Sequence, residues 1–144
     1  LPGVLLDTHV LYWLVSGAKP LNDEALVAIG ENQATGTLYL SPITAWELSI
    51  AAQKPPHRDP PHLDATISKW FRAAVRATSA RVLPINQTIA IEAAEVPNRT
   101  GHKDPGDCYL IATARVRAIP IITRDMAMRD LAAGNPGYFE LVLC

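Results

Sequence analysis

Cysteine is nearly missing from this chain: Cys108 and Cys144 are the only two in 144 residues. They lie far apart and show no CxxC or CxxC…H spacing, so neither a zinc site nor a disulfide framework is signalled, and a reducing compartment fits. Long hydrophobic runs are also lacking. VLYWLV and YLIATA are the longest, far short of the roughly 20 apolar residues that cross a bilayer, and nothing at Leu1 reads as a signal peptide. The expectation is a soluble, cytoplasmic protein with no membrane partner. No one sign of charge dominates, because 13 basic residues face 14 acidic ones for a formal net charge of −1. A nucleic-acid partner would therefore have to meet a local basic patch or metal ions rather than a generally basic surface. Internal repeats and low-complexity segments are absent as well.

What is present is core material. Hydrophobic residues make up 49% of the chain, and its length is near the commonest size for one domain, so residues 1–144 are read as a single unit. Val4 to Leu6 is a short apolar run suited to a fully buried parallel strand. Helical signals follow over His9 to Val15 and over Asp23 to Asn32, the second capped by Asn22. Thr37 to Leu40 reads as a strand running into Ser41-Pro42, a cap followed by proline at the first helical position, and that helix should reach about Gln53. Four prolines between Lys54 and His62 make an irregular loop. Asp64 is expected to open a helix with Ile67, Trp70, Phe71, Ala74 and Val75 on one face and Lys69, Arg72 and Arg76 on the other. Arg81 to Ile85 reads as a strand, and Asn86 caps a helix to Glu95 followed by a polar loop from Pro97. Asp104-Pro105 repeats the cap-then-proline start of a helix running to about Arg117. Ile119 to Thr123 is a further strand, Asp125 opens a short helix, and Tyr138 to Val142 offers a fifth strand. Strands alternating with helices imply an α/β fold, a three-layer α/β/α arrangement around a parallel sheet of four or five strands.

Ligands in such sheets bind beyond the carboxyl ends of the strands. Asp7 follows the first strand, Glu47 lies in the second turn of the helix after the second, Asp107 lies in the first turn of the helix before the fourth, and Asp125 follows the fourth. All four can face one edge. Two like charges ~4 Å apart repel by about 4 kcal/mol at an effective dielectric near 20, so an uncompensated cluster rivals a domain's whole stability of roughly 5 to 15 kcal/mol. Mg²⁺ or Mn²⁺ removes that repulsion, and oxygen-only ligation suits those ions. The chemistry that follows is metal-assisted hydrolysis of a phosphodiester.

Each residue also has a plainer reading. Asp7 can accept bonds from the next helix, Glu47 can be a surface residue, and Asp125 can be a helix cap. Asp104 and Asp107 form a D-x-x-D start in which Asp104 is the cap and Asp107 the ligand. Thr8, Ser41, Thr44 and Thr123 either orient the carboxylates or bond the local backbone. His9 is expected to be packed or satisfied locally, while His102 and Lys103 are candidates to approach substrate phosphate. Trp13, Trp46, Trp70 and Phe71 are expected first in the core and second as platforms for bases or partners. The Lys69, Arg72, Arg76 stripe is a solvated face before it is an RNA groove.

LLDTHVLYWL, SPITAWELSI, HKDPGDCYLIATA and IITRD, in that order and spacing, resemble the acidic motifs of the PIN-domain ribonucleases, most closely the VapC-type toxins of prokaryotic toxin–antitoxin pairs. The resemblance spans nearly the whole chain. It implies a PIN-like fold, metal-binding carboxylates at Asp7, Glu47, Asp107 and Asp125, endonucleolytic cleavage of RNA with Mg²⁺ or Mn²⁺, a homodimer, and inhibition by a small VapB-type antitoxin. Gly106 and Cys108 depart from the pattern, standing where many relatives have an aromatic residue and an arginine. That departure predicts weaker phosphate contact or altered substrate choice, with the carboxylate set intact.

An antitoxin segment must deny RNA access to the acidic cleft, and the helices over 9–34 and 64–78 are the expected groove walls, with Tyr12, Trp13, Leu26, Trp70 and Phe71 as apolar contacts. Other classes fit less well. A haloacid-dehalogenase-like phosphatase needs a second aspartate where His9 stands, and a receiver domain needs one after the third strand, where Pro84-Ile85-Asn86 has none. A PIN-fold RNA-binding or RNA-processing protein outside a toxin–antitoxin pair, or a non-catalytic binding module, is the alternative reading.

Overall fold

The computed structural model describes residues 3–144. At its centre lies β1 (Val4–Leu6), where every side chain is buried. It pairs in parallel with β2 (Leu38–Leu40) through Val4↔Leu38 and Leu5↔Tyr39, and with β4 (Ile121–Thr123) through Leu5↔Ile121 and Leu6↔Ile122. On the outside, β3 (Arg81–Val82) pairs with β2 and β5 (Leu141–Leu143) pairs with β4, giving an all-parallel sheet in the order β3-β2-β1-β4-β5.

Successive strand residues point to opposite faces, so each strand feeds two cores. Leu5 and Ile121 pack with Val96, Leu110, Ile111, Ala114 and Met128, from α5 (Gln87–Thr100), α6 (Pro105–Arg117) and α7 (Met126–Gly134). Val4, Leu6, Leu38, Leu40 and Ile122 pack with Val10, Leu11, Ala25, Ile29 and Ala74, from α1 (Thr8–Ser16), α2 (Asp23–Thr35) and α4 (Ile67–Thr78). The three layers are those expected. α3 (Pro42–Ala52) touches α1, α4 and α6, so it bridges the two helical layers and carries residue 47 toward the head of α6.

Four boundaries differ from the sequence expectation. Asp64 does not open a helix: its φ of 55° is left-handed, and Thr66 caps α4 instead, accepting from Lys69 N. α5 runs through Pro97 to Thr100, because the turn beyond the proline is closed by Thr100 Oγ1 donating to Val96 O at 2.7 Å and by Gly101, at φ 79°, donating to Pro97 O. β3 is two residues long, since Pro84 has no N–H for a ladder. Tyr138 and Phe139 precede β5 rather than forming it, and both are buried in the core under α6. No helix among the described residues is long and apolar enough to cross a membrane.

Candidate active site

The strand order reverses on either side of β1, and the crevice at such a reversal lies at the strand ends, beside Asp7 and Asp125. Asp7 is only 6% exposed. Its Oδ1 accepts from Thr8 N at 2.7 Å, so the residue caps α1, and its Oδ2 accepts from Thr123 Oγ1 at 2.6 Å, from the end of β4. Burial raises the Asp7 carboxyl above its ordinary pKa against the pull of those two bonds.

Glu47 sits across from it on α3. Its Oε1 accepts from Thr8 Oγ1 at 2.5 Å, so the buried Thr8 hydroxyl holds the carboxylate from the α1 side, and the Thr44 hydroxyl of α3 lies 3.2 Å from the same Thr8 oxygen. Burial, assisted by the charges of Asp7, Asp107 and Asp104, pushes Glu47 up to about 7. Gly106 adjoins its other oxygen: a Cβ at residue 106 would occupy the Glu47 carboxylate. The absent side chain at 106 is thus what lets α3 and the head of α6 close on each other.

Asp107 is in the first turn of α6. His102 Nε2 lies 2.8 Å from its Oδ2, and the Asp107 N–H bonds Asp104 Oδ1 at 3.0 Å, the cap expected from the sequence. Burial raises Asp107 to about 6, offset in part by His102 and reinforced by Asp104. His102 is itself held, its N–H donating to Thr100 Oγ1 and its carbonyl accepting from Cys108 Sγ. Cys108 is buried against the core, and that burial raises its thiol pKa.

Glu47, Asp104 and Asp107 each offer an oxygen within 4.8 Å of the others. Asp104 joins this group as well as capping its helix. Asp7 stands outside the group yet close enough for its charge to raise both Glu47 and Asp107. Asp125 is further removed: its Oδ1 caps α7 through Ala127 N and Met128 N, and its charge reaches Asp7 and Asp107. Ser41 is committed to its own helix cap, through Ile43 N, and Lys103 is exposed. Carboxylates that are buried and also face one another's charge are relieved either by protons or by a hard cation, so this all-oxygen donor set fits a divalent metal.

A cleft of about 630 Å³ opens over Glu47 and Asp104. Its walls are α1 (Thr8, His9, Tyr12, Trp13), α3 (Trp46, Ile50) and the loop from Lys54 to His62, which is pinned where His62 N donates to Tyr12 Oη at 3.0 Å. α2 and α4 do not line this cleft; Trp70 and Phe71 of α4 are partly buried against the core, and Trp70 also borders a second depression. The Lys69, Arg72, Arg76 stripe borders that separate shallow depression. Trp46, expected first in the core, is exposed at the cleft, and His9 is exposed there too, its ring 5.8 Å from that of Trp13 one turn on.

Comparison with known proteins follows the same lines. None of the curated protein sequences matches the chain. Among solved structures, VapBC2 from Rickettsia felis bound to a promoter DNA fragment superposes with a TM-score of 0.66 at 10% identity, covering 97% of either chain. A toxin–antitoxin complex from Klebsiella pneumoniae gives 0.60 at 25% identity over 97% of this chain and 96% of that one. FitAcB from Neisseria gonorrhoeae gives 0.56 at 24% over 96% and 95%. The Rickettsia and Neisseria matches are likenesses of fold. The family model described as the PIN domain matches residues 4–134, nearly the whole sheet and all seven helices, and the chain belongs to the PIN domain family.

Proposed function

We propose that this protein is a metal-dependent endoribonuclease of VapC type, acting in the cytoplasm, homodimeric, and neutralised by a VapB-type antitoxin. The observation that carries the reading is the convergence of Glu47, Asp104 and Asp107 within 4.8 Å beside the buried Asp7. Membership of the PIN family and likeness to toxin–antitoxin complexes support the partner.

Mg²⁺ or Mn²⁺ would be held by Glu47 and Asp107, with Asp104 in the same group, Asp7 beside it and Asp125 further out. When bound, the cation polarises the scissile phosphate and acidifies water for attack. The chain's own residues fix where that happens. Thr123 and the Thr8 N–H lock the Asp7 carboxylate, Thr8 Oγ1 locks Glu47, and His102 Nε2 locks Asp107, so the oxygens are aimed before substrate arrives. Thr8 serves two carboxylates at once, one through its backbone and one through its hydroxyl.

Mapping RNA ends in cells after induction, with an Asp7→Asn control, tests the assignment. The expected result is a small set of new ends in the wild type that the control lacks. Identical end profiles from both would remove it.

A further inference from the structure

Trp46 stands one residue before Glu47 on α3, and it is 47% exposed. It belongs to none of the three core clusters, and its indole pairs with no other ring or cation among the described residues. One turn on, Ile50 is 43% exposed. Residues four apart share a helix face, so α3 presents an unburied apolar stripe that begins beside the carboxylates. Lys54 and Arg58, just past the end of α3, line the same cleft, as does Lys19, just past the end of α1. From Glu47 to the end of α3 at Ala52 is roughly 8 Å at the helical rise of 1.5 Å per residue, and Lys54 lies just beyond. The cleft is therefore acidic where the strands end and carries Lys54 and Arg58, with Asp59 beside them, past the far end of α3, with an indole face at the acidic end.

Resting on the ribonuclease reading above, we propose that Trp46 is the stacking platform for one unpaired base beside the scissile phosphate, and that Lys54 and Arg58 meet the phosphates beyond it. A single RNA strand has this alternation of chemistry: phosphate charge for the metal and the lysines, and a flat apolar face for the indole. Every base has such a face, so the platform selects for an unpaired nucleotide rather than a particular sequence. A base stacked inside an A-form helix hides both faces. A peptide inhibitor accounts for the exposed apolar stripe but not for the cationic wall, since it must bring positive charge to the carboxylates itself.

The test uses the full chain and short fluorescent oligoribonucleotides, single-stranded or in a duplex, with Ca²⁺ in place of Mg²⁺ for binding by anisotropy and with Mn²⁺ for cleavage. Trp46→Ala should weaken binding of the single strand by about tenfold or more and raise KM with little change in kcat, whereas Trp46→Phe should stay within about threefold of wild type. An abasic nucleotide placed at the stacking position should impose the same penalty on wild type and none further on Trp46→Ala. If Trp46→Ala binds and cleaves as wild type does, or loses only its affinity for an antitoxin, the platform is overturned. If wild type cleaves no RNA yet binds single strands through Trp46, the hydrolytic reading falls and the platform stands.

Discussion

Glu47 and Asp107 are the residues whose chemistry is most altered by where the chain puts them. Burial lifts Glu47 to about 7 and Asp107 to about 6, from ordinary values of 4.5 and 3.8. A folded-state pKa above the unfolded one means that the folded protein holds more protons between the two values, so stability falls as pH rises through that window. The metal-free protein should lose stability as pH rises from 3.8, the ordinary value for Asp107, to about 7, the raised value of Glu47, read as a falling Tm in excess EDTA. Added Mn²⁺ should flatten the slope, and a Tm in EDTA that rises over the same range would show that these carboxylates are not mutually strained. Asp107→Asn should raise the metal-free Tm by removing one charge while lowering the stabilisation by Mn²⁺, since linkage acts only on a competent site. Gly106→Ala tests the contact between α6 and Glu47. At the second residue of α6 alanine gains little helix propensity, and its methyl group overlaps the Glu47 carboxylate. We expect a Tm no higher than that of wild type and at least a tenfold loss of cleavage, and wild-type cleavage by this variant would dismiss Glu47 from the site.

Helix ends carry most of what was legible at the scale of elements. Ser41-Pro42, Asn22, Asn86 and Asp104-Pro105 all cap helices as their residue types require, because capping is a local bargain between one side chain and the next turn. Long-range packing was not legible. α3 is apolar on nearly every side, so periodicity does not say that Leu48 faces inward while Trp46 and Ile50 face the cleft. The seat of Glu47 on Gly106 was invisible for the same reason, since it depends on how α3 and the head of α6 meet, while the His102 to Asp107 bond lies within one short turn that carries no periodic signal. Pro97 was read as a stop, yet α5 lies against α6 along its length and the packing carries the helix past it. Pro97→Ala restores the missing N–H in that helix. The expected gain is about 2 kcal/mol after allowing for the looser unfolded chain, a Tm rise of about 4–8 °C with cleavage unaffected. An unchanged or lower Tm would show that the proline is already accommodated without strain.

For the whole molecule, the all-parallel sheet brings the ends of β1 and β4 together and lets α3 and α6 lean over them, which is how four short motifs far apart in sequence come to share one electrostatic field. That convergence was legible because strand-end placement follows from topology; its distances were not. On the proposed toxin reading, an antitoxin would cover this same opening. Co-expression with the adjacent small open reading frame should yield a complex in which an arginine or lysine of the partner reaches Asp7 or Asp107, and a neighbouring gene product that neither binds nor relieves toxicity would remove the toxin role while leaving the nuclease chemistry intact. The most direct test of the central claim is cleavage of a panel of RNAs by the purified protein, with Mg²⁺ or Mn²⁺ and then with excess EDTA, beside Asp7→Asn, Glu47→Gln and Asp107→Asn. The account predicts cleavage only by wild type and only with metal; equal cleavage in EDTA, or full activity in Asp7→Asn, would contradict it.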